Sequence, residues 1–184
     1  MNHPYLTAIL GLLVIGGIAA WFLVQNLAKR RFKELEFLRS REISRYHAMG
    51  PAQFERALAI LCERDGCGDA EAIGRSGDLG ADVTATAPDG RRIVIQAKRY
   101  SKTTKVTGPD LQRFGGTCFS IHQAEVAVVV TTSTFTKQAR EYAAKMDIQL
   151  FDHEGLAAWA SQTGPPPWDL DSVSITDLRV GKSQ

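Results

Sequence analysis

The run EVAVVVTT, residues 125–132, leaves few folds open to this chain. Its apolar side chains stand at consecutive positions, so a strand here is apolar on both faces. Such a strand must be covered on both sides, commonly within a parallel stretch of sheet flanked by helices. The neighbouring segments supply those elements. TKQAREYAAKM reads as a helix, IQLFD as a short strand and EGLAAWASQ as a last helix. Before them, TGPDLQRFGGTCFSIHQ reads as a helix from about Pro109 to His122, and MGPAQFERALAILCERDGC as another. In the latter, Pro51 suits a first helical turn, and Phe54, Leu58, Leu61 and Cys62 share a face. The order predicts an α/β domain, a mixed β-sheet flanked by helices.

Between those helices lies GDLGADVTATAPDGRRIVIQAKRY, residues 77–100, with two alternating runs around a PDG turn. Strands are expected near 80–87 and 92–99. Polar Asp82, Gln96 and Lys98 interrupt otherwise apolar faces. Gln96 and Lys98 are two apart and share a face. A two-residue loop at Asp89-Gly90 would set Asp82 opposite Ala97 and split the three groups. A three-residue loop, Asp89-Gly90-Arg91, would set Asp82 opposite Lys98 and Thr84 opposite Gln96; this second register is the one predicted. There a carboxylate and an amide oxygen suit a divalent cation, and the amine suits charge developing on a phosphate. An Asp and a Lys across a hairpin also make an ordinary surface ion pair. From Gly90 to Pro109 there is no acid, but Arg91, Arg92, Lys98, Arg99, Lys102 and Lys105 are present. That run suits a polyanion such as DNA, or simply a solvated edge.

The chain's 184 residues, 44% hydrophobic, allow one domain and an appendage. The appendage is N-terminal. No charged residue occurs before Lys29, and residues 5–24 are almost wholly apolar, enough for about 30 Å of helix. Lys29, Arg30, Arg31 and Lys33 follow at once, which predicts a single span over residues 1–28 with the rest of the chain in the cytoplasm. A charged helical stalk is expected over 29–49, a globular domain over 50–162 and a tail over 163–184. Three cysteines without a CxxC pair argue against a disulfide framework or a zinc site. The four histidines are isolated in sequence and read as packing or surface residues. No P-loop, HExxH or GxSxG occurs.

FERALAILCERDGC, GRSGDLGADVTATAPDGRRIVIQAKRY and VAVVVTTSTFTKQAREYAAKMDIQLFDHEGLA together resemble the Mrr-type restriction endonuclease catalytic domain, of the PD-(D/E)xK nuclease superfamily. The resemblance covers roughly residues 50–160. It implies a restriction-endonuclease-like fold and Mg²⁺- or Mn²⁺-dependent cleavage of DNA phosphodiesters in restriction or defence. Carried across by motif, Asp82 is the metal-binding acid and Lys98 the catalytic amine. Gln96 stands where most of the superfamily has an acid. Glu55 matches a helical acid that helps hold metal, and Asp78 matches the first acid of the GDxGxD loop, with a role that could equally be structural. Thr131, Thr132 and Gln112 match positions without a clear chemical role. Arg91, Arg92, Arg99, Lys102 and Lys105 are the DNA-contact candidates. Cleavage of two strands calls for two sites and leaves a homodimer open. A non-catalytic DNA-binding or membrane-sensing module, and a junction or repair nuclease, are the other readings.

Overall fold

The structure is a computed structural model that describes residues 4–74 and 79–172, with side chains described from Gly16. Asp78 therefore lies outside the described residues. The chain divides into two units, one ending at Leu38 and one beginning at Arg39.

The first unit is helical. Helix α1 (Pro4–Ala48) begins in it and ends in the second unit. Among the described residues no helix is long and apolar enough to cross a membrane, so the span expected over 1–28 is not supported. Residues 4–15, the larger part of the apolar run, have no described side chains.

The second unit is a five-stranded mixed sheet with helices on both faces. In chain order it holds α2 (Pro51–Arg64), β1 (Gly68–Ala72), β2 (Val83–Thr86), β3 (Arg92–Lys98), α3 (Gly108–Gly115), β4 (Val126–Thr131), α4 (Lys137–Lys145), β5 (Ile148–Phe151) and α5 (His153–Ala160). The strands lie side by side in that order. β1, β2 and β3 are antiparallel, while β3, β4 and β5 are parallel and linked through α3 and α4. Every residue of β4 is buried, as its unbroken apolar run requires.

Two cores result. Val83, Ala85, Ile93, Ile95, Val128 and Val130 pack beneath α2 and α5, joined by Tyr46 from the end of α1. Val94, Ala127 and Val129 pack with Leu111 and Phe114 of α3 and Ala139 and Ala143 of α4 on the other face. The structure also builds β1 between α2 and β2, a strand that the sequence pattern does not predict. The segment GDAEA is mostly exposed, so it carries none of the apolar alternation by which a strand is recognised. Beyond α5, Trp168 is buried edge-on against Trp159, with ring centroids 5.7 Å apart.

The hairpin register differs from the expected one. Its loop is Pro88-Asp89-Gly90, one residue earlier than predicted. Ala87 N–H donates to Arg91 O at 2.8 Å, and Gly90 takes the left-handed conformation at φ +92°. Thr84 consequently faces Val94, and Val83 faces Ile95. The Asp89 carboxylate fixes this placement by accepting from the backbone N–H of Arg91 at 3.0 Å and from its guanidinium at 2.7 Å. The expected pairing of Asp82 with Lys98 and of Thr84 with Gln96 does not form.

Candidate active site

A regular continuation of the observed register would set Asp82 against Gln96 and point it to one face. The ladder instead distorts. Asp82 N–H donates to Ile95 O at 2.9 Å, although Val83 is the residue opposite Ile95. Two residues of one strand crowd against one of the other, as in a bulge. The effect on facing is visible in the cores. Ala81 packs with the α3 side and Val83 with the α2 side, although they are two apart.

Released from the alternation, the Asp82 carboxylate enters the sheet plane. Its Oδ2 accepts the backbone N–H of Ala97 at 2.7 Å, where a carbonyl of β2 would ordinarily stand. The carboxylate is thereby seated beside β3 between Gln96 and Lys98. The Ala97 carbonyl points toward the same neighbouring strand as its N–H.

Gln96 is 5% exposed, on the α3 face. Its Oε1 is buried without a hydrogen-bond partner, which costs about 1–3 kcal/mol in an otherwise satisfied core. Its amide nitrogen lies over Gly80, where a Cβ would stand 3.0 Å away. Gly80 also has φ +91°, so both the space and the backbone conformation require glycine there.

Lys98 closes β3 on the same side as Gln96. It is half-buried, opposite Thr131 of β4. Its carbonyl accepts from the Thr131 hydroxyl at 2.7 Å and from Thr132 N–H at 3.3 Å. Thr131 and Thr132 thus hold the strand end, with Thr132 also bonding Tyr100 O at 2.7 Å.

A residue the sequence reading missed adjoins Lys98. Asp110, in the first turn of α3, is buried and accepts the Thr107 backbone N–H and hydroxyl at 2.9 and 2.7 Å. Burial pushes its carboxyl up, but the Thr107 hydrogen bonds and the charges of Lys98 and Arg113 outweigh this and hold it below the usual carboxylate range. The signal was legible as T-x-x-D at a helix start, a capping-box pattern, though not as a neighbour of Lys98.

The other candidates are distributed around this strand end and beyond it. Glu55 on α2 rests its carboxylate against Gly74, its Cδ 2.8 Å from where a Cβ would sit. The preceding residue, Ile73, donates its N–H to Asp82 O at 2.9 Å, which links Glu55 to the Asp82 end of the sheet. Among the described residues no group of three or more His, Cys, Asp or Glu could hold a metal ion. Gln112 is exposed on α3.

The basic run is divided between the two ends of β3. Arg91 bonds Asp89 and Trp168 O, and Arg92 bonds His122 O, at the turn end. They lie a strand length, roughly 20 Å, from Lys98. Arg99, Lys102 and Lys105 remain near Lys98; Arg99 donates to His47 O at 3.4 Å.

Comparison with known proteins agrees with this architecture. The restriction endonuclease family Mrr_cat matches residues 46–160. The Type IV methyl-directed restriction enzyme EcoKMrr of Escherichia coli K12 is 33% identical over 115 residues, covering 59% of this chain. The match spans 37% of that enzyme's length. Among solved structures, the DNA modification-dependent restriction endonuclease AspBHI shares the fold at a TM-score of 0.50, with 22% identity over 76% of this chain and 38% of its own. A protein of unknown function, AF1548, shares it at 0.53, with 20% identity over 72% and 73%. A five-stranded mixed sheet with helices on both faces and a family match over most of the chain lead to one conclusion: the chain belongs to the Mrr-type restriction endonuclease family.

Proposed function

We propose that this chain is a Mg²⁺- or Mn²⁺-dependent endodeoxyribonuclease that hydrolyses DNA phosphodiesters in restriction, held at the cell membrane by its N-terminal helix. The observation that carries the catalytic part is the Asp82 carboxylate seated on Ala97 N–H, between Gln96 and Lys98. The donor set suits a hard divalent cation: the Asp82 carboxylate, the partnerless buried Gln96 Oε1 and the Ala97 carbonyl, with Glu55 nearby. One anionic oxygen ligand and neutral ones fit an ion that keeps several of its own waters. When bound, the cation supplies Lewis acidity toward the phosphate. Ala97 N–H fixes the direction of the Asp82 carboxylate. Lys98 offers a cationic donor to charge growing on the phosphate oxygens, and it can orient the attacking water. The charge of Lys98 in turn helps hold the neighbouring Asp110 carboxyl below its usual range.

The test is plasmid cleavage by the full-length protein in detergent, with and without Mg²⁺. Asp82→Asn retains an oxygen for Ala97 N–H but loses the charge; cleavage should fall at least 100-fold with thermal stability near wild type. Lys98→Ala should do the same. Equal cutting by all three proteins would remove the assigned site. Salt-sensitive DNA binding without cleavage under any metal would favour a non-catalytic module instead. Cutting both strands needs two such sites, so a homodimer is part of this proposal; light scattering on duplex-bound protein reads it, and a monomer that severs both strands would refute it.

The membrane part is supported by the uncharged sequence run and by exposed Ile18, Trp21, Phe22, Leu23, Val24 and Leu27 on α1. A helix apolar on all sides calls for apolar surroundings.

A further inference from the structure

Two histidines set apart in sequence line one cavity. His47, near the end of α1, and His153, opening α5, face a pocket of about 200 Å³ with Ile43, Lys102 and Thr132–Thr134. No acid lines it. Of the acids flanking the two histidines in sequence, Asp152 accepts from the N–H groups of Glu154 and Gly155, Glu154 is exposed, and Glu42 pairs with Arg45. His47 Nε2 is buried without a partner, and so is the Nε of Arg99, whose Nη1 reaches His47 O. His153 Nδ1 lies 3.1 Å from Ser133 O. A carbonyl only accepts, so Nδ1 carries the proton, and Nε2 becomes a donor only when the ring is charged. The pocket therefore brings the Lys102 ammonium together with two imidazole rings, each of which can take up a proton toward an anion.

Its wall is tied to the candidate active site. Thr131 and Thr132 both bond the Lys98 carbonyl, and the chain then runs directly into Ser133 and Thr134. Adjacent strands stand about 4.8 Å apart, and nucleotides rise about 3.4 Å along a strand. An anion in the pocket lies on the strand-end rim within a few nucleotide steps of Lys98.

We propose that this pocket binds a backbone phosphate of the DNA strand beside the scissile one, on His47, His153 and Lys102. The site rests on the nuclease reading for its ligand, but its own residues are not those assigned to cleavage. Burial and the like charges of Lys102, Arg99 and His153 hold His47 below its ordinary titration range, so the free pocket keeps that ring neutral. A phosphate reverses this balance, and binding takes up protons.

The experiment is fluorescence anisotropy of a labelled duplex with full-length protein in detergent and EDTA, across salt and from pH 8 to pH 6. Wild type should tighten toward pH 6. Lys102→Gln, at an exposed side chain, should weaken binding about 3–10-fold and lower the salt slope by about one. The His47→Gln/His153→Gln double variant should weaken it similarly and flatten the pH response. Unchanged affinity, slope and pH response in folded variants would overturn the site. So would loss of binding to phosphatidylserine vesicles with duplex binding intact, which would assign the pocket to a lipid headgroup. Cleavage by wild type separates the two readings. Cutting with unaffected variants defeats only the pocket, whereas weakened variants without cutting by wild type defeat only the nuclease.

Discussion

At the scale of single residues, Asp82 and Gln96 would, on the proposed function, divide the work of holding a cation differently from a pair of acids. Asp82 is aimed by a backbone N–H, and Gln96 brings a neutral oxygen that nothing in the protein satisfies. If that oxygen is a ligand, the charge at position 96 should tune metal affinity. Gln96→Glu should lower the Mg²⁺ concentration needed for half-maximal cleavage several-fold, whereas Gln96→Leu should raise it at least 10-fold. Titrating Mg²⁺ against cleavage rate checks both; identical curves would show that Gln96 only packs. The three polar side chains were legible in the sequence because they interrupt apolar alternation. Their geometry was not, because it depends on one residue of turn placement and on the distortion at Asp82. No local propensity separates a loop at Pro88-Asp89-Gly90 from one at Asp89-Gly90-Arg91. The choice is stabilised by the Asp89 to Arg91 hydrogen bonds within the folded turn. His47 and His153 show the same limit, since residues far apart in sequence meet only through the fold.

At the scale of elements, α2 carries Glu55 and must keep its place over the sheet. Its C-terminal end is tied to α5 by Asp65. That carboxylate accepts Trp159 Nε1–H at 2.7 Å and a two-pronged bond from Arg64 at 2.8 and 2.7 Å. Arg64 in turn reaches the Trp159 and Ala160 carbonyls at the end of α5. Burial pushes the Asp65 carboxyl up, but the bonds from Arg64 and Trp159 prevail and hold it below its usual value. A depressed folded-state value means stability present above the unfolded value, near 3.8, and lost as pH falls through the folded one. Asp65→Ala should therefore cost about 2–3 kcal/mol at pH 7, by stranding the buried indole N–H and the guanidinium. The difference from wild type should shrink below about pH 3.8. Urea denaturation at pH 7 and pH 3 measures it, and a pH-independent difference would assign the loss to packing alone. The helices and inner strands were legible from apolar periodicity. β1 was not, because an exposed edge strand needs no apolar face.

At the scale of the whole molecule, if the second unit cuts DNA as proposed, an apolar N-terminal helix would restrict where substrate can be met. The second unit has its own two cores, formed from residues 46–168. The described side chains of the N-terminal run, from Gly16 onward, are exposed. If the run is a membrane span, a charge near its middle costs about 2.5–3.5 kcal/mol, and two charges should prevent stable insertion. A Gly17→Glu/Ile18→Glu variant should move from the carbonate-resistant membrane pellet to the soluble fraction. In solution it should cut plasmid at the wild-type rate, since both positions are exposed. Wild type released by carbonate or by 1 M salt would refute the span, because interfacial charge alone is screened within about 3 Å at 1 M ionic strength. A soluble variant that no longer cuts would instead show that the helix acts on the nuclease and is more than its tether.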